Sequence, residues 1–180
     1  MRKIGQHAND TSELIFEDVR VPRTNLLGEE GKGFYYLMEK LQQERLLVAI
    51  QCIASAEKML ELTIDYVKQR QAFGTTISNF QNTQFKIAEM ATELQIGRTF
   101  VERLILEHMK GKSIVTEVSM AKWWVSDLVK KIAGECMQFH GGYGYMEEYE
   151  IARRYRDIAV TSIYAGSNEI MKQIIAKNLL

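Results

Sequence analysis

Pro22 is the only proline in this chain, and behind it glycine is missing over long stretches, the longest lying between Gly33 and Gly74. Proline and glycine are the strongest breakers of regular structure, so this scarcity predicts a mostly helical fold rather than a sheet with many turns. Before Pro22 the pattern differs. Thr11 to Val21 is rich in β-branched and alternating residues, with Leu14, Phe16, Val19 and Val21 recurring as strand positions do, which predicts one or two extended segments. Pro22, Asn25 and Gly28 punctuate the exit. A strand or hairpin of that size is marginal alone, so the piece is expected to belong to a sheet that is absent or supplied by another chain.

From Gly33 to Arg70 the spacing predicts one long helix, with a seam at Leu37, Leu41, Glu44, Val48, Cys52, Ser55, Met59, Leu62 and Tyr66, each three or four residues after the last. The break Ala72-Phe73-Gly74-Thr75-Thr76 ends it. A second helix follows, capped by Ser78 or Asn79, with a seam of Ile87, Met90, Leu94, Gly97, Val101, Leu104 and His108, and it closes at Lys110-Gly111-Lys112. The third starts near Ser113 or Thr116, carries Ala121, Val125, Leu128, Ile132, Cys136 and Phe139, and stops at Gly141-Gly142. A shorter helix over roughly 148–158 and a last one from Ser167 complete the set. Four or five antiparallel helices with short connections pack most simply as an up-and-down four-helix bundle.

The 180 residues suffice for one well-packed domain. Lys+Arg and Asp+Glu balance at 23 each, so no global field draws the chain to nucleic acid or a membrane surface. No apolar run is long enough to span a bilayer and the N-terminus has no signal-peptide core, which reads as a soluble, unexported protein. Cys52 and Cys136 sit inside helical patterns and read as buried thiols in a reducing compartment. His7, His108 and His140 belong to no Glu-x-x-His pair, so a di-metal bundle site is not expected and no metal is assigned.

Glu44 interrupts an apolar seam. A buried carboxylate there would be raised toward neutrality and could accept a proton; alternatively it forms an ion pair, or the seam meets solvent at that point. Arg70, Phe73 and Gly74 followed by Phe80-Gln81 set a guanidinium beside a glycine turn and ahead of a helix, which suits a phosphate; the commoner arrangement is an arginine that is solvated or bonds the last helix carbonyls. Gly141-Gly142-Tyr143-Gly144-Tyr145 lacks the spacing of a P-loop or a dinucleotide fingerprint and reads as a tight helix connection. At Ala165-Gly166-Ser167-Asn168-Glu169, Gly166 lets a ligand approach, and Ser167 or Asn168 can cap the last helix or donate to an anionic group.

In this order and spacing the segments resemble the acyl-CoA dehydrogenase family. The resemblance runs from Phe16-Glu17-Asp18-Val19-Arg20-Val21-Pro22 and Leu27-Gly28 through Gly31-Lys32-Gly33, Glu44-Arg45, Arg70-Gln71-Ala72-Phe73-Gly74 and Phe80-Gln81. It ends with Gln138-Phe139-His140-Gly141-Gly142-Tyr143-Gly144-Tyr145 and Ile163-Tyr164-Ala165-Gly166-Ser167-Asn168-Glu169-Ile170. It implies that residues 1–30 are the end of a middle β-domain and 31–180 the C-terminal helical bundle. It also implies an FAD enzyme of fatty acid β-oxidation, in which a carboxylate takes the C2 proton of a fatty acyl-CoA while a hydride leaves C3 for the flavin, giving a trans-2-enoyl-CoA. Electron-transfer flavoprotein is then the implied electron acceptor. The implied setting is cytoplasmic in a bacterium and the mitochondrial matrix in a eukaryote.

Much of the family carries its base in a Tyr-Glu-Gly motif, where this chain has Ala165. The long-chain and isovaleryl branches carry it in a Glu-Arg-Leu motif on the first bundle helix, which Glu44-Arg45-Leu46 matches. Phe34-Tyr35-Tyr36-Leu37-Met38 looks more like the long-chain branch. By resemblance, Arg70, Phe73 and Gln81 contact the FAD of a neighbouring subunit. Gln138, Phe139, His140, Gly141 and Gly142 are further FAD contacts, as are Ser167, Asn168 and Glu169. Ala165 and Gly166 then line the acyl-thioester site, and Tyr35 and Arg45 shape the substrate cavity. A homo-oligomer, dimer or tetramer, is implied, because the family associates through this domain. The alternatives are a bundle serving assembly without catalysis, and dehydrogenation of a branched short-chain, isovaleryl-like acyl-CoA. Family chains carry further domains ahead of this region, so weak or no FAD binding and little turnover are expected of these residues alone.

Overall fold

A computed structural model describes all 180 residues. The element order is α1 (Gly33–Gln69), the two-residue strands β1 (Gln71–Ala72) and β2 (Thr75–Thr76), α2 (Gln81–Met109), α3 (Val115–His140), α4 (Glu150–Asp157) and α5 (Asn168–Leu179), with short 3-10 turns between several of them. The helices begin and end close to where the glycines and the seams predict.

Side-chain bonds fix the directions. At one end of α1 the Ile114 N–H donates to Gln42 Oε1 at 2.9 Å; at the other the Tyr66 hydroxyl donates to the His140 carbonyl at 3.3 Å. Thus α1 and α3 run parallel. Between them α2 runs the opposite way, tied by Arg98–Glu57, Lys131–Glu93 and Lys86–Glu135. The fourth, descending leg is composite. Along α3 it bonds Ser162 to Lys130, Asn168 to Ser126 and Asn178 to Thr116, and it breaks between α4 and α5. The result is an up-and-down four-helix bundle whose last helix is interrupted at Ala165-Gly166.

The core is one cluster of 23 buried side chains, drawn from α1, α2, α3 and α4 with their flanking residues and centred on Met59, Leu104, Val118, Ile132 and Cys136. At Gly97 the helices approach closely: a Cβ there would lie 3.0 Å from Ile53 Cδ1 and 3.1 Å from the Trp124 ring. A side chain would push α2 off α1 and α3.

Two expectations change. Thr11–Val21 pair with no strand, and the only ladder is the β1–β2 hairpin after α1. Leu14, Ile15 and Phe16 are each about three-quarters exposed, so neither face of that segment is covered. The residues ahead of it are fastened to the bundle at Gln6, whose N–H donates to Asp157 Oδ1 at 2.6 Å and whose side-chain amide donates to the Asp157 carbonyl at 3.2 Å. Second, Ser78 and Asn79 do not cap α2. They lie in a 3-10 turn with their side chains bonded back to Thr76 and Thr75, and Phe80 occupies the cap position.

Cys52 and Cys136 are fully enclosed, and burial pushes both thiols up to about 11. Unfolded thiols ionise near about pH 8.5, so the thiols' contribution to stability is full below that pH and is lost as pH rises toward the folded value, on the order of 2 kcal/mol per thiol. In urea titrations at about pH 8 and 10.5, the wild type is expected to lose more stability than a Cys52→Ala/Cys136→Ala variant. Equal losses would contradict this.

Candidate functional site

The break in the fourth leg is built on a floor of buried cations. Ala165 and Gly166 have φ of 53° and 95°, so the backbone conformation calls for glycine at 166, where a Cβ would also press on the end of the Met171 side chain at 2.8 Å. Beneath the turn, Arg45 of α1 is buried and its Nε donates to the Ala165 carbonyl at 3.2 Å. Lys122 of α3 is 0% exposed; its Nζ donates to the Gly166 carbonyl at 2.7 Å and to Asn168 Oδ1 at 3.1 Å. The Asn168 amide in turn donates to Ser126 Oγ at 2.9 Å and Asp127 Oδ1 at 3.0 Å.

Burial lowers Arg45 from its ordinary value, partly offset by Glu44 beside it. Burial also lowers Lys122, a direction opposed by Cys52 and reinforced by Arg45. In a trans peptide the N–H points opposite to the C=O, so with both carbonyls turned down, the Gly166 and Ser167 N–H groups face the other way. Those two N–H groups and that of Ala165 donate to no backbone carbonyl. Such a turn can hold a carbonyl or an anion.

Glu44 precedes Arg45 on α1, and of the alternatives its sequence left open, the structure takes the one in which the seam meets solvent. Glu44 is exposed, as are Leu37 and most of the first helical turns. The seam runs past its neighbours. Gln42 bonds His108, the Lys112 carbonyl and the Ile114 N–H, so the α2–α3 connection lies level with Gln42 and nothing of this chain covers most of what precedes it. Tyr35, 65% exposed with Lys32 over its ring, stands on those projecting turns.

The other end of α1 forms a second locus. A cleft of about 650 Å³ is lined by Tyr66, Arg70, Phe139, His140, Gly141 and Tyr143, among others. His140 is buried, stacked on Tyr66 at 4.3 Å, and its Nδ1 lies 2.8 Å from the Cys136 carbonyl. Arg70 lies over the Tyr143 ring at 5.6 Å and makes no salt bridge within the chain. Burial raises the Tyr66 hydroxyl, with Arg70 acting against it. Gly141 has φ of 58°, and both Gly141 and Gly142 have open space where a Cβ would be.

Of the predicted residues, Arg70, Phe139, His140, Gly141 and Gly142 meet in this cleft. Gln138 is exposed outside its lining, Phe73 is 95% exposed at the hairpin tip, and Gln81 opens α2 on the surface. Ser167, Asn168 and Glu169 belong to the Arg45 end. Ser167 makes no backbone cap with its side chain; the Glu169 N–H, and after it the Ser167 hydroxyl, hold the Glu169 carboxyl below its usual range. At 1.5 Å per residue, Arg45 and Arg70 are roughly 40 Å apart along α1. Sequence reading missed Lys122, although Val118, Lys122, Val125 and Val129 carry the same spacing signal that singled out Glu44.

A family model described as acyl-CoA dehydrogenase, C-terminal domain, matches residues 31–180. The whole chain is 50% identical to the long-chain specific acyl-CoA dehydrogenase, mitochondrial, of Sus scrofa, and covers 42% of that protein. The crystal structure of acyl-CoA dehydrogenase from Geobacillus kaustophilus superimposes with a TM-score of 0.97 at 68% identity, over 99% of this chain and 47% of that one. Butyryl-CoA dehydrogenase from Megasphaera elsdenii does so with a TM-score of 0.95 at 39% identity, over 99% and 47%. The chain thus spans less than half the length of these relatives.

Proposed function

Because the chain belongs to the acyl-CoA dehydrogenase family, we propose that it forms the proton-removing part of an FAD-dependent enzyme that converts a long-chain fatty acyl-CoA to the trans-2-enoyl-CoA, with Glu44 as the base. The observation that carries this is the Arg45–Ala165 hydrogen bond, 3.2 Å across the bundle. It ties the residue after Glu44 to the position where much of the family carries its carboxylate. A base moved from the turn to α1 would therefore still serve one reacting carbon.

In this reading the turn N–H groups bind the thioester carbonyl, whose polarisation acidifies C2, and Glu44 takes the proton. A bound acyl chain would expel water from around that carboxylate, and loss of water strengthens a carboxylate as a proton acceptor. Ala165 leaves the turn itself without a competing base. Tyr35 and the exposed apolar residues around it, Phe34, Leu37 and Met38, suit an acyl chain. This supports the long-chain reading over the isovaleryl-like one.

FAD fits the residues present. The open Gly141-Gly142 backbone leaves room for a ligand where a Cβ would intrude, and Arg70 offers a guanidinium that no internal carboxylate consumes. Arg70, Phe73, Gln81 and residues 138–142 would hold one part of it, and Ser167, Asn168 and Glu169 another. Bound FAD supplies the hydride acceptor, which no side chain can. The two sets lie at opposite ends of α1, too far apart for one cofactor within one chain, which favours a site shared between two copies in a dimer or tetramer. Electron-transfer flavoprotein is the proposed electron acceptor, in the bacterial cytoplasm or the mitochondrial matrix.

The test grafts this chain into the Geobacillus relative in place of its counterpart and measures reduction of an artificial acceptor. Palmitoyl-CoA is expected to exceed isovaleryl-CoA by at least about tenfold in kcat/KM, roughly the 1.4 kcal/mol or more that a fitted apolar pocket provides. Preference for isovaleryl-CoA would move the chain to the branched short-chain reading. A folded, flavin-loaded graft that turns over neither would leave assembly as its role.

A further inference from the structure

Lys122 is the largest fully buried side chain in the molecule and has no carboxylate salt-bridge partner. A buried ammonium is costly unless its three protons are used. Both of its hydrogen bonds go to the broken fourth leg: the Gly166 carbonyl at 2.7 Å and Asn168 Oδ1 at 3.1 Å. Asn168 is itself buried and held by Ser126 and Asp127, so the start of α5 is locked onto α3. Arg45 holds the adjacent carbonyl, that of Ala165. The turn they grip contains a non-glycine residue at positive φ, a conformation that persists only where surrounding structure enforces it.

We propose that Lys122 is a positioning residue for the acyl-thioester turn: its ammonium, with Asn168 and Ser126, clamps the Gly166 carbonyl to α3 and so fixes where the Gly166 and Ser167 N–H groups point. This rests on the reading of the 165–167 turn as the thioester site. The clamp acts from beneath, through the peptide, and Lys122 does not touch the substrate. Its length and charge both matter, because the ammonium crosses from α3 to reach two acceptors on the fourth leg. An apolar residue of similar size fills the space but leaves the Gly166 carbonyl without its donor and the Asn168 amide oxygen with only the Ser126 hydroxyl in reach.

The experiment uses the grafted enzyme with Lys122→Met, and Leu128→Ala as a control that lowers stability without touching the turn. Hydrogen exchange is followed by mass spectrometry, and kcat and KM are measured on flavin-loaded protein. In Lys122→Met, the segment 163–171, whose protection comes from the bonded Ile163, Tyr164 and Met171 amides, is expected to exchange at least about tenfold faster while α1 and α2 keep their protection. The kcat is expected to fall at least about tenfold, with KM within about threefold of the parent. Leu128→Ala should show neither local effect. Unchanged exchange over 163–171 in Lys122→Met overturns the proposal whatever the activity.

If Lys122→Met yields no folded enzyme, Ser126→Ala decides. It removes one support of Asn168 and should accelerate exchange over 163–171 by about threefold, whereas no change overturns the clamp. Faster exchange in a graft whose unsubstituted form has no turnover would uphold the clamp and sink the proposed function instead. Faster exchange with unchanged kcat would overturn the link between the clamp and catalysis.

Discussion

Substituting Glu44 by Gln in the grafted enzyme is expected to lower kcat for acyl-CoA oxidation by about 100-fold or more, the range associated with losing a positioned proton acceptor. Flavin content and thermal stability should stay at the parent's level, because Glu44 is exposed and makes no salt bridge in this chain. An exposed position away from the core changes stability by no more than about 0.5 kcal/mol. That separation makes the variant informative: a carboxylate whose role was to hold the helix would alter the melting temperature, whereas a base alters the rate alone. Glu44→Asp, which keeps the charge one methylene short, is expected to fall between the two.

The largest expected effect on stability lies in the core, far from the chemistry. Leu104→Ala should destabilise the bundle by about 3 kcal/mol, since Leu104 is completely enclosed in the cluster shared by α1, α2 and α3 and deletion leaves a cavity that packed helices close only in part. For a domain of this size that corresponds to a melting point lower by roughly 10 °C. Leu106→Ala, two residues along the same helix and 58% exposed, should change it by about 1 °C or less. Thermal unfolding followed by circular dichroism distinguishes the two. Equal shifts would mean that α2 does not present the face described.

Where the sequence was legible, the reason is local. Gly33, Gly141-Gly142 and Gly166 break helices by their own conformational preference, and seams at three- and four-residue spacing identify the buried face without reference to any partner. Periodicity says which face is apolar and not how far a neighbouring helix reaches. The seam through Leu37 and Glu44 therefore looked buried, although the α2–α3 connection stops level with Gln42. Thr11–Val21 has the composition of a strand, but a strand needs a partner and this chain offers none.

The turn at Ala165-Gly166 was visible as a motif, yet its supports were not. Lys122 meets partners 44 and 46 residues away; the spacing of Val118, Val125 and Val129 sets it on an apolar face, but nothing near it in sequence names the groups that receive its ammonium. The glycine turn joins α3 to α4 as its sequence predicts, but its surroundings were not visible either. Gly141 to Tyr145 reads as a connection between helices, and becomes a cleft only because Tyr66 and Arg70 arrive from the far end of α1.

The central claim is that Glu44 removes the C2 proton, and it can be tested apart from hydride transfer. The grafted enzyme is incubated with palmitoyl-CoA in D2O without an electron acceptor, and deuterium at C2 of the recovered palmitoyl-CoA is followed by mass spectrometry. The parent should incorporate deuterium, and Glu44→Gln should show none above the enzyme-free rate. Incorporation by Glu44→Gln at the parent's rate would contradict the assignment and place the base elsewhere.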